Sequence, residues 1–339
     1  MKTGYVGIDV SQASFTAAFW LDDQPVDLGD FDNQQTGFET LATAIATHEA
    51  IAACENIHII LEATGGYELR LLSFINSKTW LFSLPNPLRV REWAKGMGYR
   101  VKTDRVDGRI LAHFGHLCRP DPQQPVPEAV EQLDSLLQRQ EDVQKLYRQE
   151  SNRQHALSYR PHASPAAAVS LERTLAFLEK ELQTIEEEIA DLLKANPQLR
   201  AQSKQLLTVS GVGKKTVLSL LVLCHRFHAR TSGQGTSKGV TAYTGLDARP
   251  FDSGSSVHRR PTISKMGNSQ IRAKLFLAAL GGIRGKGSPL RHFYLRLVDR
   301  GKPKKLALVA ASRKIIVWSW AVFRNDVPFD ASRFSSTPS

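Results

Sequence analysis

Cysteine is scarce: 339 residues hold only Cys54, Cys118 and Cys224, far apart and with no CxxC pair. That excludes a disulfide framework and a cysteine-based zinc site, and it fits a reducing cytosol. The N-terminus lacks a charged segment followed by an apolar one, so no signal peptide is expected. Long uninterrupted apolar runs are missing too. The longest stretch near the end, Leu306 to Phe323, is broken by Arg313 and Lys314, which predicts a buried helix and no membrane span. Acidic side chains nearly vanish from residues 200–339, where five Asp and no Glu face 25 Lys and Arg, a balance of +20. The remaining residues carry 19 basic and 28 acidic side chains, a balance of −9. An asymmetry of this size predicts a polyanion gripped by the C-terminal part; the plainer alternative is a basic face kept for solubility.

What is present is otherwise ordinary, with 42% hydrophobic and 23% charged residues and length enough for two or three domains. Residues 4–10 and 14–20 read as successive strands, with a third near Val26–Phe31, and Gly37–Thr47 has helical spacing. The β-branched run Ile57–Leu61 precedes a Gly-Gly turn, a helix near Tyr67–Asn76 and a strand Trp80–Leu84 stopped by Pro85-Asn86-Pro87. Strands first, then strand and helix in alternation, describe an α/β domain over 1–120, and the Pro-rich stretch Arg119–Pro127 reads as its boundary.

A helical region over 128–196 follows. Leu171, Leu175, Leu178, Leu182, Ile185, Ile189 and Leu192 recur at alternating spacings of 4 and 3, which is a heptad seam. An earlier helix, Val130–Tyr147, is separated from it by Pro161 and Pro165, so the seam serves either a hairpin within the chain or a dimerisation arm. Residues 200–330 form the basic, mostly α part, with a turn-rich segment Gly245–Gly267 inside it.

Four carboxylates stand in unusual contexts. Asp9 ends an apolar run in Gly7-Ile8-Asp9-Val10-Ser11, and Glu62 follows Ile59-Ile60-Leu61 and precedes Ala63-Thr64-Gly65-Gly66. Asp104 and Asp107 lie three apart at a helix start, in Lys102-Thr103-Asp104-Arg105-Val106-Asp107-Gly108-Arg109. Taken singly, an Asp after a strand is often a turn former or helix cap. Glu is rarely buried unpaired, and two like charges on one helix face repel unless a cation bridges them. Salt bridges to Lys102, Arg105 and Arg109 are the alternative. Together the four point to a hard divalent cation, Mg2+, held for phosphate chemistry.

These segments resemble the tetrad of the DEDD-type insertion-sequence transposases, relatives of Piv invertases. The later segments Gly245-Leu246, Asp252-Ser253-Gly254-Ser255-Ser256 and Ile263-Ser264-Lys265-Met266-Gly267-Asn268, with Arg272, are similar to that family's C-terminal transposase domain. The likeness covers nearly the whole chain in matching order. It departs at Ala248, where a proline is common, and at Gly108, where an alanine is common. The resemblance implies an RNase H-like, RuvC-like N-terminal domain binding Mg2+ through Asp9, Glu62, Asp104 and Asp107. It also implies that Ser253 attacks a DNA phosphate through a covalent phosphoserine intermediate. As chemistry alone, Asp-Ser-Gly-Ser-Ser is a plain turn, and Ser255 and Ser256 stand nearby. Further implications are donor and target DNA duplexes, a structured noncoding guide RNA, a dimer or tetramer, no membrane, and a cytoplasmic, nucleoid-associated site of action in a bacterium.

Basic residues fit such substrates. Arg249, Arg259, Arg260, Lys265, Arg272 and Lys274 flank Ser253 and are candidates for gripping phosphates. Val209-Ser210-Gly211-Val212-Gly213-Lys214-Lys215 fails as a P-loop, because Thr208 replaces the first glycine and Lys215 separates Lys214 from Thr216. It reads as a helix-hairpin-helix-like turn presenting Lys214 and Lys215 to a backbone, or as a plain interhelical turn. Two rival functions stay open: a RuvC-like nuclease or junction resolvase using metal-activated water, and a non-catalytic nucleic-acid-binding regulator.

Overall fold

The computed structural model describes residues 2–21, 24–99, 104–253 and 257–334; at Leu21, Asp104, Arg105, 249–253, 257–261, Arg333 and Phe334 it describes backbone only. The chain divides into two compact units, residues 1–125 with 228–234, and the rest.

In the first unit, β1 (Thr3–Val10), β2 (Ser14–Leu21) and β3 (Gln24–Asp32) form an antiparallel meander. Helices α1 (Gln35–Thr47) and α2 (Glu49–Ala52) lead to β4 (Asn56–Leu61), α3 (Leu69–Ser77), β5 (Leu81–Ser83), α4 (Pro87–Gly96) and α5 (Asp104–Cys118). Sheet order is β3-β2-β1-β4-β5, with β4 parallel to β1 and β5 parallel to β4. The mixed α/β organisation expected from the sequence is present.

Alternation along the strands assigns the two faces. Val6, Ile8, Val10, Ile59 and Leu61 join Phe38, Leu41, Leu71 and Ile75 of α1 and α3 in one core. Ile60 joins Val90 and Ala94 of α4 and Ile110, Leu111 and Phe114 of α5 in the other. Helices therefore cover both faces, which explains why Ile59-Ile60-Leu61 is continuously apolar. Each such side chain contributes roughly 1.5–3 kcal/mol by leaving water.

Two segments that read as a strand stop and a boundary also hold structure. Asn86 does more than stop a strand: its Oδ1 accepts from Leu88 N at 2.9 Å and caps α4, with Pro87 in the first turn. The Pro-rich stretch is fastened along β5, where Gln123 N donates to Phe82 O at 2.7 Å and Ser83 Oγ to Asp121 O at 2.8 Å.

The second unit is built on α6 (Glu128–Ser158), α7 (Pro165–Ala195), α8 (Pro197–Leu206), α9 (Lys214–Arg230), α10 (Ser237–Tyr243), a hairpin β6 (Ala248–Ser253) and β7 (Val257–Ile263), then α11 (Ser269–Gly282), α12 (Pro289–Asp299) and α13 (Lys304–Asn325). Helices α6 and α7 pack on each other as a hairpin, burying Val130, Leu133, Val143, Leu178, Ile185 and Ile189. Between residues 144 and 177 nothing is buried, so the hairpin's far half has no core of its own. Its base shares one hydrophobic core with α8, α9, α11 and α13. Helix α13 is long and apolar enough to cross a membrane, yet it is the central core helix, burying Ala311, Ile315, Ile316, Trp318 and Trp320. The segment read as turn-rich holds the β6–β7 hairpin instead.

Candidate active site and nucleic-acid interface

In the first unit, Ile8 and Leu61 are partners in the parallel ladder, so Asp9 and Glu62, each one residue further, stand side by side at the strands' C-terminal end. Asp9 shares a sheet face with Gly7, and Glu62 continues that of Ile60. That face is the one α5 covers. A Cβ on Gly7 would lie 2.2 Å from Gly108 O and Ala112 N, so only glycine lets α5 approach β1 this closely. The approach brings the first turn of α5, with Asp104 and Asp107, to the sheet end bearing Asp9 and Glu62. Asp9, Glu62 and Asp107 are all half-buried; the side chain of Asp104 lies outside the described residues.

Both carboxylate-bearing turns are tied down by residues the sequence did not single out. Glu68 is buried, and its Oε2 accepts from Thr64 N at 3.1 Å, Thr64 Oγ1 at 3.1 Å and Gly66 N at 2.9 Å. Gly65 and Gly66 have φ of 80° and 115°, which is why glycines occupy this turn. Asn33, 8% exposed, donates from Nδ2 to Ser11 O at 3.0 Å and to Tyr67 O at 3.1 Å. One amide thereby links the turn after Asp9 to the turn after Glu62. Ser11 closes its own turn, donating from Oγ to Ser14 O at 2.7 Å. The signal available in the sequence was slight: Asn33 sits in a polar Asp-Asn-Gln-Gln run that reads as an ordinary turn.

The salt-bridge alternative is answered in part. Arg109 points to β3, where its Nε donates to Asp27 Oδ1 at 2.7 Å and its Nη2 pairs with Oδ2, which also raises the guanidinium pKa. Lys102 lies outside the described residues, as does the side chain of Arg105. Among the described residues no three Asp, Glu, His or Cys side chains gather closely enough to hold a metal ion. The donors at this edge are oxygens, the set a hard divalent cation takes.

In the second unit Ser253 is the last residue of β6, paired with Val257 across the hairpin tip. Its side chain and residues 254–256 lie outside the described residues, as do the side chains of Arg249, Arg259 and Arg260. The hairpin's base is a clasp. A Cβ on Gly245 would lie 2.8 Å from Gly267 N, and one on Gly267 would lie 2.2 Å from Tyr243 O. Ser264 N donates to Asp247 O at 2.9 Å and Lys265 N to Gly245 O at 3.1 Å, holding Lys265 at a left-handed φ of 57°. Asn268 caps α11, accepting from Gln270 N at 2.8 Å. From α11, Arg272 Nη1 donates to Thr244 O at 3.3 Å and Gly267 O at 2.5 Å. Gly245, Gly267, Asn268 and Arg272 thus secure the strand pair that ends in Ser253.

The candidate phosphate-binding residues divide. Lys214 and Lys215 are exposed at the first turn of α9, and Lys265 is exposed beside the clasp. Arg272 is taken up by the carbonyls above, and Lys274 is half-buried against Glu141 of α6 and Ser219 Oγ of α9. The turn before α9 is packed: a Cβ on Gly211 (φ 94°) would lie 2.9 Å from Ile315 Cδ1.

A transposase family model matches residues 6–157, and the model described as the transposase IS116/IS110/IS902 family matches residues 203–295. The pilin gene-inverting protein of Moraxella lacunata is 30% identical over 334 residues, covering 97% of this chain and 98% of that protein. The one from Moraxella bovis matches at the same identity and coverage. The chain belongs to this transposase family. It is a DNA transposase or site-specific recombinase, and membership carries dependence on a divalent metal and action on DNA. For a transposase, the edge bearing Asp9 and Glu62 and the clasped hairpin are the two places where the chain concentrates its motifs.

Proposed function

We propose that this transposase cuts and rejoins DNA with a composite site. Mg2+ would be held by Asp9, Glu62, Asp104 and Asp107, and Ser253 would be the nucleophile. The observation that carries the reading is the juxtaposition of Asp9 and Glu62 at the ends of neighbouring parallel strands, beneath the helix whose first turn holds Asp104 and Asp107. The meander followed by two parallel strands, in the order β3-β2-β1-β4-β5, supports an RNase H-like, RuvC-like domain over 1–120. The helical region 128–196 would be an assembly arm and 200–330 the serine-bearing part. When bound, the cation supplies Lewis acidity toward the phosphate and lowers the barrier to ionising a hydroxyl.

In strand cleavage Ser253 Oγ bonds to phosphorus and releases its proton to water. The bond from phosphorus to the departing sugar oxygen breaks with its electron pair, and that oxygen takes a proton. Rejoining reverses these steps with a second DNA end. Lys214, Lys215, Arg249, Arg259, Arg260 and Lys265 would offset phosphate charge, while Arg272 and Lys274 would act by holding the hairpin and α11. Donor and target DNA duplexes are supported by the +20 balance of residues 200–339; a structured noncoding RNA guide and a dimer or tetramer complete the proposal as what the resemblance implies. Asp9→Asn and Glu62→Gln are each expected to lower strand cleavage by at least about a hundredfold. Retained cleavage in both would move the metal elsewhere. Full cleavage by Ser253→Ala would favour the water-using nuclease.

A further inference from the structure

In the second unit a cavity of about 340 Å3 opens between the start of α10, α12 and α13. Its floor is apolar, made by Phe293, Ala310 and Val317, and its rim carries Lys238, Arg313 and Lys314. Among the described residues none of these three cations has a carboxylate partner. Lys314 Nζ instead lies 5.3 Å from the centroid of the Phe293 ring, and the Arg296 guanidinium 5.6 Å from it. These residues belong neither to the carboxylate edge nor to the clasped hairpin.

Three cations without a carboxylate partner among the described residues, set around an apolar hollow, favour a ligand with a flat apolar body and an anionic tail. We propose that the cavity takes one unstacked nucleotide of a single strand, its base on the floor beside Phe293 and its phosphates on Lys238, Arg313 and Lys314. The volume falls within the roughly 300–1,000 Å3 of small-ligand sites. Every base has a π-face, and a floor with few polar atoms reads none of them, so weak sequence preference follows. A base within a duplex cannot enter without unstacking and unpairing, which makes the site selective for unpaired strand. The proposal rests on the nucleic-acid role of the basic half and on neither the metal nor Ser253.

The test is fluorescence anisotropy of the full chain with short labelled single-stranded DNA, single-stranded RNA and duplex DNA, in EDTA so that cleavage is silent. Ala310→Leu fills the cavity without removing a contact, and Phe293→Leu keeps apolar packing while deleting the ring. Each is expected to weaken single-strand binding about tenfold, to change duplex binding less than about twofold, and to leave the thermal midpoint near the parent's. The single strand bound more tightly, DNA or RNA, identifies the source. Lys238→Gln should lower the salt dependence of single-strand binding by about 0.7 in the log–log slope. Unchanged single-strand affinity in Ala310→Leu overturns the proposal, as does an equal loss for duplex. Displacement by polyphosphate as effective as by oligonucleotide also overturns it, because charge alone would then explain binding. Failure here leaves metal-dependent cleavage untouched, since no divalent metal is present in the assay.

Discussion

Asn33 is a single side chain that ties together the two turns following candidate metal ligands. Its amide joins the turn after Asp9 to the turn after Glu62, so Asn33→Ala leaves two carbonyls without their donor. A loss of about 1–3 kcal/mol in stability is expected. Splayed carboxylates would also raise the Mg2+ concentration needed for half-maximal cleavage several-fold, and a metal titration of cleavage rate checks this; an unchanged titration would make Asn33 purely structural. Two glycines of the same region should behave oppositely. Gly7→Ala meets the α5 backbone at 2.2 Å, whereas a Cβ on Gly108 finds Thr16 O at 3.4 Å, an ordinary contact. Gly7→Ala should fail to give a folded first unit. Gly108→Ala, in a helix interior, should gain about 0.5–1 kcal/mol in a urea melt. His58 adds a pH dependence. It is buried, pairs through Nε2 with Ser83 Oγ at 2.8 Å, and burial lowers its pKa from 6.5 to about 4. The unfolded chain therefore binds more protons between those values, so this stability is complete above pH 6.5 and is lost as pH falls toward 4. The loss is on the order of 3 kcal/mol, and urea melts across that range should lose this slope in His58→Gln. Asp9 and Glu62 were legible in the sequence because a carboxylate ending an apolar run breaks the pattern. Asn33 and Glu68 were not, because a polar residue in a polar turn looks the same whether it tethers one loop or two.

At the scale of elements, the regular pieces could be read from periodicity and the irregular ones could not. The central strands and the α7 seam announce themselves by β-branched runs and heptad spacing. The β6–β7 hairpin does not: Arg249-Pro250-Phe251-Asp252 and Val257-His258-Arg259-Arg260-Pro261 carry charges and prolines that demote a strand. A two-stranded ribbon tolerates them because both strands are edges. Its hold on the rest of the unit comes from the clasp, which gives the glycine–leucine and lysine–methionine–glycine–asparagine segments a mechanical purpose. Arg272→Ala should therefore lower cleavage by at least about tenfold while leaving Mg2+ binding by the carboxylates unaltered, measured by calorimetry. A parallel loss of metal binding would show that the two motifs are not separable. The α6–α7 seam, offered by the sequence as hairpin or dimer arm, closes as a hairpin at its base. Phe177 and Tyr159 remain 60% and 75% exposed in the far half.

For the whole molecule, the charge imbalance was visible from composition and set the expectation of a polyanion before any motif was considered. Family membership makes DNA a substrate of the chain. What composition could not give was the division of labour among the cations, because Lys274 and Arg272 look in sequence like Lys214 and Lys265, yet the first two are held by protein atoms. The central claim is that cutting needs both the carboxylate edge and the serine at the hairpin tip. Its most direct measurement is mass spectrometry of the protein–DNA adduct trapped during Mg2+-dependent cleavage. A nucleotide linked through phosphate to Ser253, absent in Asp9→Asn and in Ser253→Ala, is the predicted result. Cleavage at the parent rate without any adduct, or an adduct on another residue, would contradict it.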